Sequence, residues 1–179
     1  MQFPLFVGRY FEMELINRVR SLVEEELAGS EYFLVDVLGG GNSRKISVLV
    51  DGDEGMSIQA CARISRNLSE IIDDESFESD AFILEISSPG ADRPLSHPRQ
   101  YNKHIGRDLI IRTLNGEEWL GKLEEVMDDN IRLVTPKGKK GKPGKSGKKD
   151  KNNEPRNVDG ELVLSMNSIE QATVVISFK

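Results

Sequence analysis

The chain has 179 residues, a net charge of −6, 37% hydrophobic residues and only 6% aromatics. Its core must therefore be mainly aliphatic, which suits two small α+β or β units better than one large enzyme domain. No run approaches the ~20 apolar residues that span a bilayer, and the single cysteine, Cys61, excludes an internal disulfide and a cysteine-rich zinc site. Two histidines, His97 and His104, leave little for metal or acid–base chemistry. Residues 1–12 have no basic start, full apolar stretch or small-residue cleavage site, so they make a poor signal peptide. A reducing cytosol is the expected location.

Charge is uneven along the chain. Residues 1–91 carry 7 basic and 17 acidic side chains, a balance of −10, and residues 92–179 carry 17 and 13, a balance of +4. Two units with different electrostatic faces are expected.

The first unit opens with a helix whose Leu15, Ile16, Val19, Leu22, Val23 and Leu27 share one stripe. Alternating Phe33, Val35, Val37 and Ile46, Val48, Val50 predict two strands joined through GGGNS (39–43) as a hairpin. Ser57 is placed to N-cap a second helix with Ile58, Cys61, Ile64, Leu68, Ile71 and Ile72 inward. A strand at 82–86 completes an α-β-β-α-β order, a sheet with helices on one side. Residues 87–106 then hold Pro89, Gly90, Pro94, Pro98 and Gly106, too many breakers for a long regular element.

Beyond this linker the period becomes two. Strands are predicted at 109–114 and 118–127 around an Asn115-Gly116 turn, then at 131–134, 162–164 and 173–178. Five short strands in this space predict a small all-β barrel. Residues 137–151 interrupt them with eight lysines, four glycines and one aspartate. With no apolar residue to bury beyond Pro143, this insert is expected to be a disordered, solvated loop.

The candidate catalytic groups lack the partners their chemistry needs. Asp36, Asp51 and Asp53 lie near strand ends, and DGDEG (51–55) has the opening of a calcium loop. Met56 takes the required glycine position, however, and Ala62 that of the bidentate glutamate, so the cluster reads as a polar turn. Ser87 and Ser88 follow a strand without a G-x-S-x-G elbow. Cys61 is expected as a small hydrophobe, and Gly39–Gly41 lack a phosphate-binding fingerprint. Trp119, alone in a strand, reads as core before binding platform.

Two features remain. Lys137, Lys139, Lys140, Lys142, Lys145, Lys148, Lys149 and Lys151 make a flexible polycation that would attract RNA phosphate by counterion release, or else a solubilising insertion. The segment SSPGADRPL (87–95) has the residues of a shaped loop: Pro89 and Pro94 restrict φ, Gly90 permits a positive φ, and Asp92 beside Arg93 could lock a turn. Residue chemistry alone favours a rigid interdomain hinge there over an interaction loop.

FILEISSPGADRPL (82–95) resembles the hallmark of the ribosome maturation factor RimP family, a strand followed by S-S-P-G-x-D-R-P-L. ISVLVDGDEGMSIQACARISRNLSEIID (46–73) resembles that family's strand, turn and cysteine-containing helix. HIGRDLIIRTLNGEEWLGKLEEVMDDNIRLV (104–134) is similar to its second domain. The resemblance implies an α+β protein: an N-terminal α-β-β-α-β domain at 13–90, a linker at 91–104, and a small Sm-like, SH3-like β-barrel at 105–179. The Lys/Gly-rich insert at 137–160 departs from the family pattern, being far longer than its usual loop. Residues 1–12 would then be an N-terminal extension and Met13 a genuine or alternative start.

The function it implies is that of a cytoplasmic, non-enzymatic factor, without cofactor, metal or catalytic residues. It would bind the free, immature small ribosomal subunit, touching rRNA and a basic ribosomal protein, and assist late assembly, most simply as a monomer. By position, Ser87, Ser88, Pro89, Gly90, Asp92, Arg93 and Pro94 are its hallmark residues. The competing reading is a general Sm-like RNA-binding protein or RNA chaperone, which would form rings. A hydrolase using the Asp36/Asp51/Asp53 cluster ranks third.

Overall fold

The computed structural model describes residues 5–40, 43–74, 82–135 and 155–176. They form a mixed α+β protein that divides into two compact units, Met1–Pro89 and Gly90–Lys179.

In the first unit, α1 (Leu5–Leu27) begins upstream of Met13. Its Val19, Leu22, Val23 and Leu27 recur at the three- and four-residue spacing of one helix face, and all four are buried. Gly29, at φ +72°, ends the helix, and Ser30 returns both its N–H (3.1 Å) and its hydroxyl (2.8 Å) to the Leu27 carbonyl. Strands β1 (Tyr32–Gly40) and β2 (Ser43–Gly52) pair antiparallel, with a bulge between Leu34 and Asp36.

The helix α2 (Ile58–Asp74) is capped by Ser57, whose hydroxyl accepts the Ala60 N–H at 3.1 Å. It crosses to β3 (Ile83–Ser87), which runs parallel to β2 and gives the sheet order β1-β2-β3. Ile46, Val48 and Val50 on one sheet face cluster with Val19, Val23 and Leu27 of α1 and with Ile64 and Leu68 of α2. The inner face of α2 differs from the expected one: Ala60, Ile64 and Leu68 are buried, Cys61 is half-buried, and Ile58 is 85% exposed. Two helical positions lie about 200° apart, so with Ala60 toward the sheet Ile58 must face out.

The second unit begins where a linker was expected, and that stretch is part of the fold. Leu95 donates its N–H to the Ala172 carbonyl (2.8 Å) and packs on the core. One turn of helix, α3 (Arg99–Asn102), carries the buried Gln100 and Tyr101. The Gln100 Oε1 accepts the N–H groups of Ser96 (2.9 Å) and His97 (3.0 Å), a side-chain clasp that satisfies backbone with no ladder partner.

Strands β4 (Asp108–Thr113) and β5 (Glu118–Val126) form a hairpin whose turn places Gly116 at φ +79°. Strand β6 (Asn130–Val134) follows, then β7 (Arg156–Asn157), β8 (Glu161–Ser165), a 3-10 turn (Met166–Ser168) and β9 (Ile169–Val174). The ladder order is β8-β6-β5-β4-β9, with β7 running parallel beside Trp119 and Leu120 of β5.

The final strand lies earlier than the predicted 173–178, because Ile169 to Val174 is the segment in register with β4. Strands β8 and β9 are not paired with each other, so the sheet remains open rather than closing into a hydrogen-bonded barrel. Leu109, Ile111, Leu123, Ile131, Leu133 and Ala172 are fully buried between its strands. At Gly121 a Cβ would meet Val158 Cγ2 at 2.8 Å and Leu133 Cβ at 2.9 Å, so this core admits no side chain there.

Candidate nucleic-acid interface

The hallmark segment straddles the division between the units. Ser87 ends β3, half-buried and in register with Leu49, while Ser88 is exposed and Pro89 half-buried at the last position of the first unit. Gly90 opens the second unit with a turn in which the Arg93 N–H bonds the Gly90 carbonyl at 3.0 Å. A Cβ on Gly90 would stand 2.7 Å from Asp92 Oδ1, so the Asp92 carboxylate lies folded against the glycine. The turn is thus closed by backbone, not by an Asp92–Arg93 pair. Arg93 and Pro94 are exposed, and Leu95 ties the segment to β9.

The eight candidate lysines, Lys137, Lys139, Lys140, Lys142, Lys145, Lys148, Lys149 and Lys151, lie outside the described residues. The described chain on either side of them is anchored. Thr135 donates its N–H to the Gly160 carbonyl at 3.1 Å, and the Gly160 N–H returns to Thr135 Oγ1 at 2.9 Å. Arg156 sits 5.8 Å from the centre of the Trp119 ring and 3.4 Å from Glu117 Oε1, a cation–π contact joined to an ion pair. The Trp119 ring also packs on the core, so it supports Arg156 from the core side. Sequence reading missed this contact because Arg156 and Glu117 are 39 residues apart.

Elsewhere the arginines of this sheet are neutralised locally. Arg112 grips Glu118 Oε1 through Nε (2.8 Å) and Nη2 (2.6 Å), and this carboxylate holds the guanidinium pKa above its ordinary value. Arg132 on β6 meets Glu125, Glu124 (3.5 Å) and Glu161 (3.6 Å). Over the described residues of the second unit, 8 Arg and Lys stand against 11 Asp and Glu, a net charge of −3. The positive balance of this half therefore belongs to the lysine insert and not to the strands.

The residues weighed for catalysis have structural partners. Asp36 Oδ1 accepts from Arg20 Nη2 (3.3 Å) and from the Val37 N–H (2.8 Å) at the β1 bulge. Asp51 is buried, with Oδ1 accepting the Gly52 N–H at 2.9 Å. A Cβ on Gly52 would stand 2.3 Å from the Gly55 carbonyl oxygen, and Gly55 takes φ +94°, so DGDEG is a tight turn that needs both glycines. Among the described residues no group of three or more His, Cys, Asp or Glu is arranged to hold a metal ion. The His97 Nδ1 accepts the Arg99 N–H at 3.2 Å, a local cap at α3. Nor is any helix among the described residues long and apolar enough to cross a membrane.

The RimP N-terminal domain family matches residues 19–92. Across the whole chain, the ribosome maturation factor RimP of Cytophaga hutchinsonii is 36% identical over 172 residues, covering 94% of this chain and 98% of that protein. The chain belongs to the RimP family. The matched domain runs from within α1 to Asp92 in the hallmark turn, and the full-length relationship carries the family assignment across the second unit. RimP membership thus rests on both units, whereas the ion pairs described above are properties of this chain's own residues.

Proposed function

We propose that this protein assists maturation of the small ribosomal subunit as a cytoplasmic binding factor, with no chemical step of its own. The observation that supports this reading best is the identity with a ribosome maturation factor over nearly the full length of both chains. A factor of this kind needs only differential affinity: by binding one folding state of the immature subunit more tightly it shifts the population by that difference. The first unit, at −10 up to residue 91, suits a basic ribosomal protein, and the eight insert lysines suit rRNA phosphate. The Ser87–Pro94 hallmark is the interaction segment between them.

The second sheet is read as an Sm-like, SH3-like barrel that stays unpaired along one seam. Support comes from the 3-10 turn, which joins β8 to β9, the two outermost strands. Strands about 4.8 Å apart in a flat sheet of this order would hold those two roughly 19 Å apart. The chain from Ser165 to Ile169 reaches at most about 14 Å, and a 3-10 turn reaches less, so the sheet must curl.

Co-sedimentation with ribosomal fractions at low and moderate salt tests the reading. Binding to free small subunits and not to full ribosomes is the expected result. Equal binding to every RNA-containing fraction, or to none, would overturn it. Replacing the eight insert lysines with Gln should weaken binding and flatten its salt dependence; an unchanged slope would make the insert a spacer. The protein is expected to act as a monomer. A ring in light scattering would favour the RNA-chaperone alternative.

A further inference from the structure

The second unit treats its cations in two ways. Arg112, Arg132 and Arg156 are each tied to a carboxylate of the same sheet. Arg93 is exposed and, among the described residues, meets no carboxylate within ion-pair distance. Its nearest acidic neighbour in sequence, Asp92, has its carboxylate folded against Gly90. Arg107 and Lys122 also have no ion pair among the described residues, but Asp108 follows the first in sequence and stands opposite the second in the β4–β5 register.

The backbone carrying Arg93 is held from both sides. The Gly90–Arg93 turn fixes it from before. The following Pro94 disfavours the helical region for Arg93 and fixes its own φ. One residue later the Leu95 N–H is bonded to β9 and its side chain is packed on the core. A guanidinium on so constrained a base loses less freedom on binding than one on a mobile loop, and its planar fork matches phosphate oxygens.

We propose that Arg93 is a preset phosphate contact, a guanidinium with no carboxylate partner among the described residues, so that it can bind an rRNA phosphate. The source of the phosphate rests on the ribosomal reading above. RNA is favoured over an acidic protein because an immature subunit offers phosphate at high density while its proteins are chiefly cationic. Gly90 and Asp92 are then positioning residues: glycine at 90 leaves room for the Asp92 carboxylate to turn back, away from the ion pair it would otherwise offer Arg93.

The test uses the full-length chain, with affinity measured from low to moderate KCl on two probes, purified free small subunits and deproteinised small-subunit rRNA. Arg93→Gln should weaken binding at low salt by at least about tenfold, the scale of one hydrogen-bonded charge. It should also reduce the salt slope by roughly 0.7–0.9, the loss of one phosphate contact. Arg112→Gln, the same charge change at a paired arginine, should leave the slope alone, and Arg93→Lys should restore part of it. Thermal unfolding of Arg93→Gln should match the parent.

Equal slopes for Arg93→Gln and Arg112→Gln would overturn the proposal, as would a loss seen on subunits but absent on bare rRNA, which would place a protein carboxylate against Arg93. If the parent protein bound rRNA but not subunits and Arg93→Gln lowered the slope, the maturation reading would fall and the phosphate contact would stand. Binding to neither probe would remove both.

Discussion

Arg112 on β4 and Arg93 in the hallmark turn are the same residue type in the same unit, and the structure uses them in opposite ways. Arg112 spends its fork on Glu118, its partner across the hairpin, whereas Arg93 sits on constrained backbone with its neighbouring carboxylate turned aside. The sheet pairs its arginines internally, and the described residues of the unit are left net acidic. A residue count over the second half therefore misplaces its basic character: the sum is positive, but the strands are not. Stability should respond to changes in the sheet, and partner binding to changes in the hallmark turn and the insert.

That separation has measurable consequences. Leu133, fully buried on β6 and packed against Gly121 of β5, should cost about 2–5 kcal/mol of unfolding free energy when changed to Ala. Denaturant melts would check this, and a change below 1 kcal/mol would mean the sheet is looser than its burial implies.

Tyr101 comes next. Burial pushes its phenol from 10.0 up to about 12, so the folded state favours the protonated form. Its contribution is fully present below pH 10 and is lost as pH rises from 10 toward 12. The loss should be on the order of 2–3 kcal/mol, and Tyr101→Phe should show a flatter alkaline stability curve than the parent.

Arg132→Gln should cost about 1 kcal/mol, because it leaves Glu124, Glu125 and Glu161 without the cation between them. Added salt should shrink this difference, since it screens both the pair and the remaining repulsion. The smallest stability change belongs to Gly90→Ala. Its Cβ meets only the movable end of Asp92, so unfolding should shift by less than about 0.5 kcal/mol. Subunit binding should weaken nonetheless, as the displaced carboxylate becomes available to Arg93. A large stability loss with unchanged binding would make the turn a structural hinge.

Local pattern carried a good part of the fold. The α1 stripe, the Ser57 cap, the alternation of β1, β2, β4 and β5, and the Asn115-Gly116 turn all follow from short-range spacing, where the backbone period dictates which side chains share a face. The constraint in the hallmark was partly legible for a similar reason, since Pro89 and Pro94 fix φ locally, but Gly90 is not among the glycines with positive φ. The burial of α2 was less legible, because a stripe rich in Ile can rotate against the sheet. Only packing with Val48 and Val50 selects Ala60, Ile64 and Leu68 as the inner face.

Pairings between distant strands lay beyond any local pattern. The β-branched run at 173–178 drew the last strand too far along, while the polar-looking Ile169–Val174 is what matches β4. The two residues of β7 have no periodicity to detect, and they gain their place from the stretch of β5 that β6 does not reach. The arginines are the functional case. Composition supplies their number, but which of them is spent depends on Glu118, Glu125, Glu161 and Glu117 arriving across a ladder or from far along the chain. An ion pair forms only within a few ångströms, so which arginines are paired among the described residues is decided by the fold.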